Sequence, residues 1–210
     1  MKKLLMLVTM ISLAVTSYSA SKTFTFQDFM PNKMIESTKI TEKKIEDNIV
    51  YPVFEGSTPL ISTMNKEVEK LVFKYKREPQ NVLISYEMKA DNSYFKSILF
   101  TIQKLDENTK EVKDIEYVTL NFDTKSGKTL ELGDLFVSGY NDALNGVIQE
   151  RMLQFGLKTI PNFKGVTRYQ TFYLTEHTLV IIFNKGKATE TADKIAFLPF
   201  ITQELIGILK

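Results

Sequence analysis

One histidine, His177, and the absence of cysteine bound the chemistry available to this chain. Without a thiol there is no cysteine nucleophile, disulfide or thiolate metal ligand. A structural zinc site needs several Cys or His ligands, and His177 supplies one. A Ser-His-Asp relay would have to pass through His177, which sits in the turn-like stretch Thr175-Glu176-His177 with no serine nucleophile signalled nearby. Three spacings imitate known motifs, and each fails on context. Thr124-Lys125-Ser126-Gly127-Lys128-Thr129 ends like a phosphate-binding loop, but Phe122 stands where the earlier glycine is required. The segment also joins two β-type runs, not a strand to a helix. Ser93-Tyr94-Phe95-Lys96 has the S-x-x-K spacing of serine acylases. That spacing works on a helical face, whereas residues three apart on a strand point to opposite sides. It reads as a polar turn followed by a solvated lysine. Asp106-Glu107-Asn108 opens like a calcium loop, but Glu111 and Tyr117 occupy the positions where Gly and Glu are needed.

What remains is 25 acidic residues, enough for a carboxylate pair of the glycosidase kind, with no pair singled out by spacing. No catalytic residue, cofactor or metal site is therefore expected. The candidate binding residues are Arg168 and Tyr169, near the start of a strand, and Lys185 and Lys187, flanking Gly186. The two lysines suit an acidic surface or the carboxylates of a glycan. A hairpin of 169–174 with 178–184 would bring all four toward one end of the strands.

The elements that must position them follow from periodicity. Residues 49–51 are a short β-type run that ends at Pro52. Ser57-Thr58-Pro59 is a helix start, and Leu60, Met64, Val68, Leu71, Val72 and Tyr75 recur at helical spacing, which predicts an amphipathic helix over 59–77. Strands are predicted over 82–88, 95–103 and 115–123, with a hairpin turn at Asp91-Asn92-Ser93 and a charged loop over 104–114. Asp123 to Gly127 is a turn. A second helix is predicted over 140–155, capped by Asn141 or Asp142 and ended by Gly156. Strands 169–174, 178–184 and 194–198 and a short C-terminal helix over 200–209 complete the chain. The predicted class is α+β: an antiparallel β-sheet packed against two main helices plus a short C-terminal helix.

The 210 residues open with Lys2 and Lys3, an apolar run from Leu4 to Val15, and Ser17-Tyr18-Ser19-Ala20, the pattern of a secretory signal peptide over 1–20. Cleavage after Ser19 fits the small-residue rule best. The run is too short to span a bilayer, and no cysteine follows it for lipidation. Residues 21–44 read as a polar, mobile arm to which Phe24, Phe26 and Phe29 could add an edge strand, and 45–210 as one domain. Removing the leader leaves 25 basic against 25 acidic side chains, because the precursor's 27 include Lys2 and Lys3. Balanced charge gives no case for nucleic acid or an anionic membrane as partner. The expected location is extracytoplasmic, periplasmic or secreted.

Two segments carry a family resemblance. Asn121-Phe122-Asp123 through Gly127-Lys128 to Leu132-Gly133-Asp134-Leu135-Phe136 is one. Phe172-Tyr173-Leu174-Thr175 through Val180-Ile181-Ile182-Phe183-Asn184 is the other. Together they resemble the C-terminal extracytoplasmic domain of RsiV-type anti-sigma factors, also found beside the deacetylase domain of PdaC. The resemblance covers roughly 45–210. It implies a ligand at the cell envelope, a lysozyme-like hydrolase or a peptidoglycan fragment; with no catalytic set assembled, the expected function is an exported, non-enzymatic binding domain. The alternatives are an envelope glycan-acting enzyme using paired carboxylates, or a periplasmic structural or assembly factor. The signatures themselves are turn and strand patterns: Gly127 permits a left-handed turn, and Asp134 can cap the Leu135-Phe136 turn ahead of the second helix. The chain departs from the family at Lys185–Glu190 and in the 104–114 loop.

Overall fold

The computed structural model describes residues 23–29, 38–78, 81–191 and 194–210; the leader read over 1–20 lies outside them. The amphipathic stripe becomes helix α1, Pro59–Lys76. The Thr58 hydroxyl caps it by accepting from the Ile61 N–H at 3.3 Å, and Pro59 occupies the first turn, where no N–H is needed. Ile61, Met64, Val68, Val72 and Tyr75 are buried along one face. Leu71 lies at the margin of that face and is only partly buried.

That face covers a five-stranded sheet in the order β1 (Ile40–Ile45), β2 (Ile49–Phe54), β3 (Val82–Asp91), β4 (Phe95–Leu105) and β5 (Val112–Asp123). Ile98, Phe100 and Ile102 alternate along β4 and are fully buried beneath α1. The neighbours are antiparallel except β2 and β3, which run parallel at the pair Ile49↔Ile84. The sheet is therefore mixed and not purely antiparallel. Chain that crosses through a helix returns in the same direction, and α1 provides that crossover.

β2 also runs past Pro52. The Glu55 N–H bonds to Lys39, so Pro52 faces the other side, where no ladder needs its missing N–H. On that side the Asn65 side chain from α1 takes both backbone groups of Phe54, at 2.9 Å each. All of β1 but its last residue lies inside the stretch read as an arm. Its sequence, Ile-Thr-Glu-Lys-Lys-Ile, shows little apolar alternation because it is an edge strand whose middle residues face water. Phe26–Phe29 forms a 3₁₀ turn and not an edge strand, with Phe26 buried.

A second sheet replaces the single one expected. It orders β6 (Phe172–Leu174), β7 (Thr178–Phe183) and β8 (Ala196–Ile201), all antiparallel. Helix α2, Tyr140–Gln154, shares its core, burying Tyr140, Leu144, Ile148 and Met152. Gly139, at φ +81°, precedes α2 and gives no side-chain cap, so neither Asn141 nor Asp142 plays that part. Gly156 ends the helix at φ +64° as read, and Phe155 is exposed. The short C-terminal helix is present only as one turn of 3₁₀ type. β8 runs on to Ile201, Thr202–Leu205 is a single 3₁₀ turn, and Leu205 and Leu209 are buried by irregular chain. A segment this short with Gly207 at φ +97° has too few turns to hold an α-helix.

The two cores meet through a buried polar bridge. The Ser97 hydroxyl on β4 donates to Asn121 Oδ1 on β5 at 2.5 Å and accepts the Leu174 N–H at 3.0 Å. Asn121 Nδ2 donates to the Phe172 carbonyl at 2.8 Å. These side chains satisfy the backbone of β6 where no strand pairs with it, as burial requires.

The turn after β5 closes on Asp123, whose carboxylate accepts from the Lys125 N–H and the Ser126 hydroxyl. Gly127 sits there at φ +69°, and a Cβ would lie 2.8 Å from the Leu60 carbonyl oxygen. Gly127→Ala is expected to destabilise the fold by about 2 kcal/mol or more, since strain and a backbone clash act together. A urea midpoint equal to wild type would contradict this packing of the turn on α1.

Candidate functional site

The site is built where β7 ends. Asn184 follows Phe183, and its side-chain amide donates to the Tyr117 carbonyl and accepts the Tyr117 N–H, both at 2.8 Å. Tyr117 lies on β5, the outermost strand of the five-stranded sheet. One asparagine thus stands in for a pairing strand. The chain then turns, with the Lys187 N–H bonded to the Asn184 carbonyl and Gly186 at φ +70°, which leaves Lys185 and Lys187 exposed. Behind the turn Ala188 and Thr189 are buried, which anchors this segment to the second core.

The opposite wall is the stretch leading into β6. The Gln170 side chain donates to the Ile182 carbonyl at 2.6 Å, and the Ile182 N–H donates to Thr171 at 2.9 Å. These bonds carry the β6–β7 pairing past Phe172 and hold Tyr169 outward, 74% exposed. Between the walls lies a cleft of about 540 Å³ lined by Asp114, Glu116, Tyr169, Gln170, Lys185 and Lys187, among others.

Three of the four residues singled out from sequence therefore share one cleft. Arg168 does not line it. Its guanidinium turns away to Glu131 and Asp134, and the Glu131 hydrogen bond with the Asp134 charge raises its pKa above the usual arginine value. The Arg168 side chain lies over Gly133, where a Cβ would come within 2.7 Å of its Cγ. The Leu132-Gly133-Asp134 signature thus positions Arg168, and through it Tyr169. Asp134 caps its own turn backward, accepting the Glu131 N–H at 3.0 Å, and does not cap forward toward Leu135-Phe136.

Two carboxylates reach the cleft, Asp114 and Glu116, two apart on β5 and so on one face. Neither stands free. Asp114 is 3.9 Å from the Lys185 amine, with both side chains about half exposed, a contact worth little. Glu116 accepts the Tyr75 hydroxyl at 2.8 Å and lies 3.4 Å from the Lys104 amine. Burial, then the Glu116 hydrogen bond, pushes the Tyr75 phenol above its ordinary pKa, which keeps this proton in place. Glu116 is thus tied into packing by Tyr75 and Lys104, while Asp114 stays about half exposed.

The other spacings resolve plainly. His177 lies exposed in the β6–β7 turn, where its carbonyl accepts from Thr202, and its imidazole is 3.9 Å from Glu176. The Asp106 carboxylate accepts the Asn108 and Thr109 N–H groups, closing the β4–β5 turn, and these bonds lower its pKa. Lys96, read as solvated, is 2% exposed; it pairs with Asp91, and its amine sits 5.7 Å from the Phe54 ring centroid. Among the described residues no group of three or more His, Asp or Glu converges, and no helix is long and apolar enough to cross a membrane.

Sequence reasoning missed Asp114, Glu116, Gln170 and Asn184. The signal for Asn184 was present, since a polar residue directly after the apolar run Leu179–Phe183 marks a strand end that needs a partner.

No family model matches the chain, and no curated protein matches it. Solved structures do. A DUF3298-family protein from Bacteroides fragilis superposes with a TM-score of 0.63 at 13% identity, covering 85% of this chain and 96% of that one. A DUF3298-family protein from Pseudomonas aeruginosa superposes with a TM-score of 0.55 at 13% identity, covering 88% and 96%. At this identity the likeness is one of fold, shared with an uncharacterised domain family.

Proposed function

We propose that this is an exported, non-enzymatic binding domain of the cell envelope, and that its cleft between β5 and the 167–171 stretch takes wall glycan. The observation that carries the reading is the 74%-exposed Tyr169 ring standing in a cleft edged by Thr167, Thr171, Gln170, Lys185 and Lys187. A flat aromatic face with hydroxyl, amide and ammonium groups around it matches a sugar ring, which offers an apolar face and a polar rim. Glu116 is held by Tyr75 and Lys104, which leaves Asp114 without a second available carboxylate and favours binding over hydrolysis. The leader pattern over 1–20 supports export, and the lysines suit glycan carboxylates.

The test is calorimetric titration of the mature chain with muramidase-released peptidoglycan fragments, with lysozyme-type hydrolases in a parallel arm. Binding to the fragments is expected, and Tyr169→Ala should weaken it by about tenfold or more, since an aromatic anchor commonly supplies more than 1.4 kcal/mol. No binding to any fragment, or unchanged affinity in Tyr169→Ala, overturns the reading. Binding to hydrolases alone would move the function to a protein partner, and steady release of reducing ends would make the domain an enzyme.

A further inference from the structure

The cleft does not end at its own walls. A depression of about 220 Å³ adjoins it and shares Asp114, Ile115 and Lys185; another of about 230 Å³ adjoins the other end and shares Tyr169, Gln170 and Thr171. The three follow β5 in chain order, lined by residues from Val112–Ile115, then Asp114–Glu116, then Val118–Asn121. From Val112 to Asn121 an extended strand covers about 30 Å. Resting on the glycan reading above, we infer that this trough is a track for a linear, carboxylate-bearing oligosaccharide several sugars long, held in one direction.

Length, charge and hydrogen bonding each point this way. The trough is far longer than one sugar ring, and Tyr169 stands at the junction of its central and distal parts. Charge differs between the ends. Lys113 and Lys185 stand with Asp114 at the Val112 end, and Lys187 and Glu116 line the central part. The far end carries Glu131, already bonded to Arg168. A chain with an anionic group toward the lysines and neutral hydroxyls toward Glu131 fits in one sense and not the other. The free edge of β5 adds polar groups along the way. Tyr117 presents its N–H and carbonyl outward to Asn184, so Ile115 and Thr119, two residues to either side, present theirs outward as well. Sugar hydroxyls and acetamido groups can bond to these.

The experiment is a chain-length series of N-acetylglucosamine–N-acetylmuramic acid oligomers with free lactyl carboxylates, from disaccharide to octasaccharide, beside neutral N-acetylglucosamine oligomers of equal length. Affinity for the carboxylated series should rise by about tenfold or more from disaccharide to hexasaccharide as further subsites fill. It should exceed that for the neutral series, and the excess should shrink with salt and in the Lys185→Ser, Lys187→Ser double variant. Thr119→Glu, at the distal end, should remove the hexasaccharide advantage, with a much smaller loss for the disaccharide. Lys113→Glu, at the other end, gives a second reading should Thr119→Glu fail to fold. Equal affinity for short and long oligomers, or an advantage that survives both end variants, overturns the track and leaves the glycan-binding reading standing. No binding by any oligomer, carboxylated or neutral, removes both.

Discussion

Phe100→Ala is expected to destabilise the protein by about 3–5 kcal/mol. Phe100 is 0% exposed at the middle of β4, beneath α1, with the Tyr86 ring 6.4 Å away centroid to centroid. Both strands beside β4 and the helix above are held by their own pairing, so the space left cannot collapse well. The loss would be a large share of the roughly 5–15 kcal/mol that a domain has in total. Urea unfolding of the two proteins gives the difference. Leu153→Ala, at a position 78% exposed on α2, is the control and should stay within about 0.5 kcal/mol of wild type. A Phe100→Ala midpoint indistinguishable from that control would mean the core under α1 is misplaced.

The second large effect concerns a charge that has no solvent. Lys96 is 2% exposed, and its pairing carboxylate is Asp91 at the end of β3, whose side chain is 37% exposed. Removing Asp91 leaves a buried ammonium without its counter-charge. Asp91→Ala is expected to cost about 3 kcal/mol, at the low end for a buried pair because the Asp91 side already meets water. Replacing the lysine itself should behave differently. Lys96→Met removes the charge and its desolvation cost together while keeping a chain of similar volume, so stability should hold or rise. The two variants measured side by side decide the matter. If Asp91→Ala matches wild type, or Lys96→Met is the more damaging of the two, the pair does not work this way.

The helices and the strands that pair locally were legible in the sequence because their signals are local. Thr58-Pro59 with the Met64–Tyr75 stripe specifies α1, and the alternation in 95–103 specifies β4. The division into two sheets was not legible. It depends on Asn121 and Ser97 satisfying β6 from another element, and a buried asparagine looks like any other polar residue in a strand. β1 escaped notice because an edge strand needs little apolar alternation. Lys96 was read as solvated because a lysine on a strand gives no sign of which neighbour it will meet; Asp91 stands five residues away, across a hairpin. Of the candidate site, the hairpin logic gathered Tyr169, Lys185 and Lys187 correctly. It failed for Arg168, whose partners Glu131 and Asp134 are more than thirty residues away in sequence. The acids of the cleft were invisible for the same reason, since their positions depend on how β5 meets the end of β7.

Asn184 has a consequence for how copies of this protein coexist. A strand edge left open along a trough is an invitation to self-templating: a second molecule's edge can dock on it, and stacking can continue. With Asn184 occupying the hydrogen-bonding groups of Tyr117, the edge is interrupted at its midpoint, and the stretches on either side are too short to seed a ladder. A counterfeit strand of one residue thus acts as a guard against polymerisation.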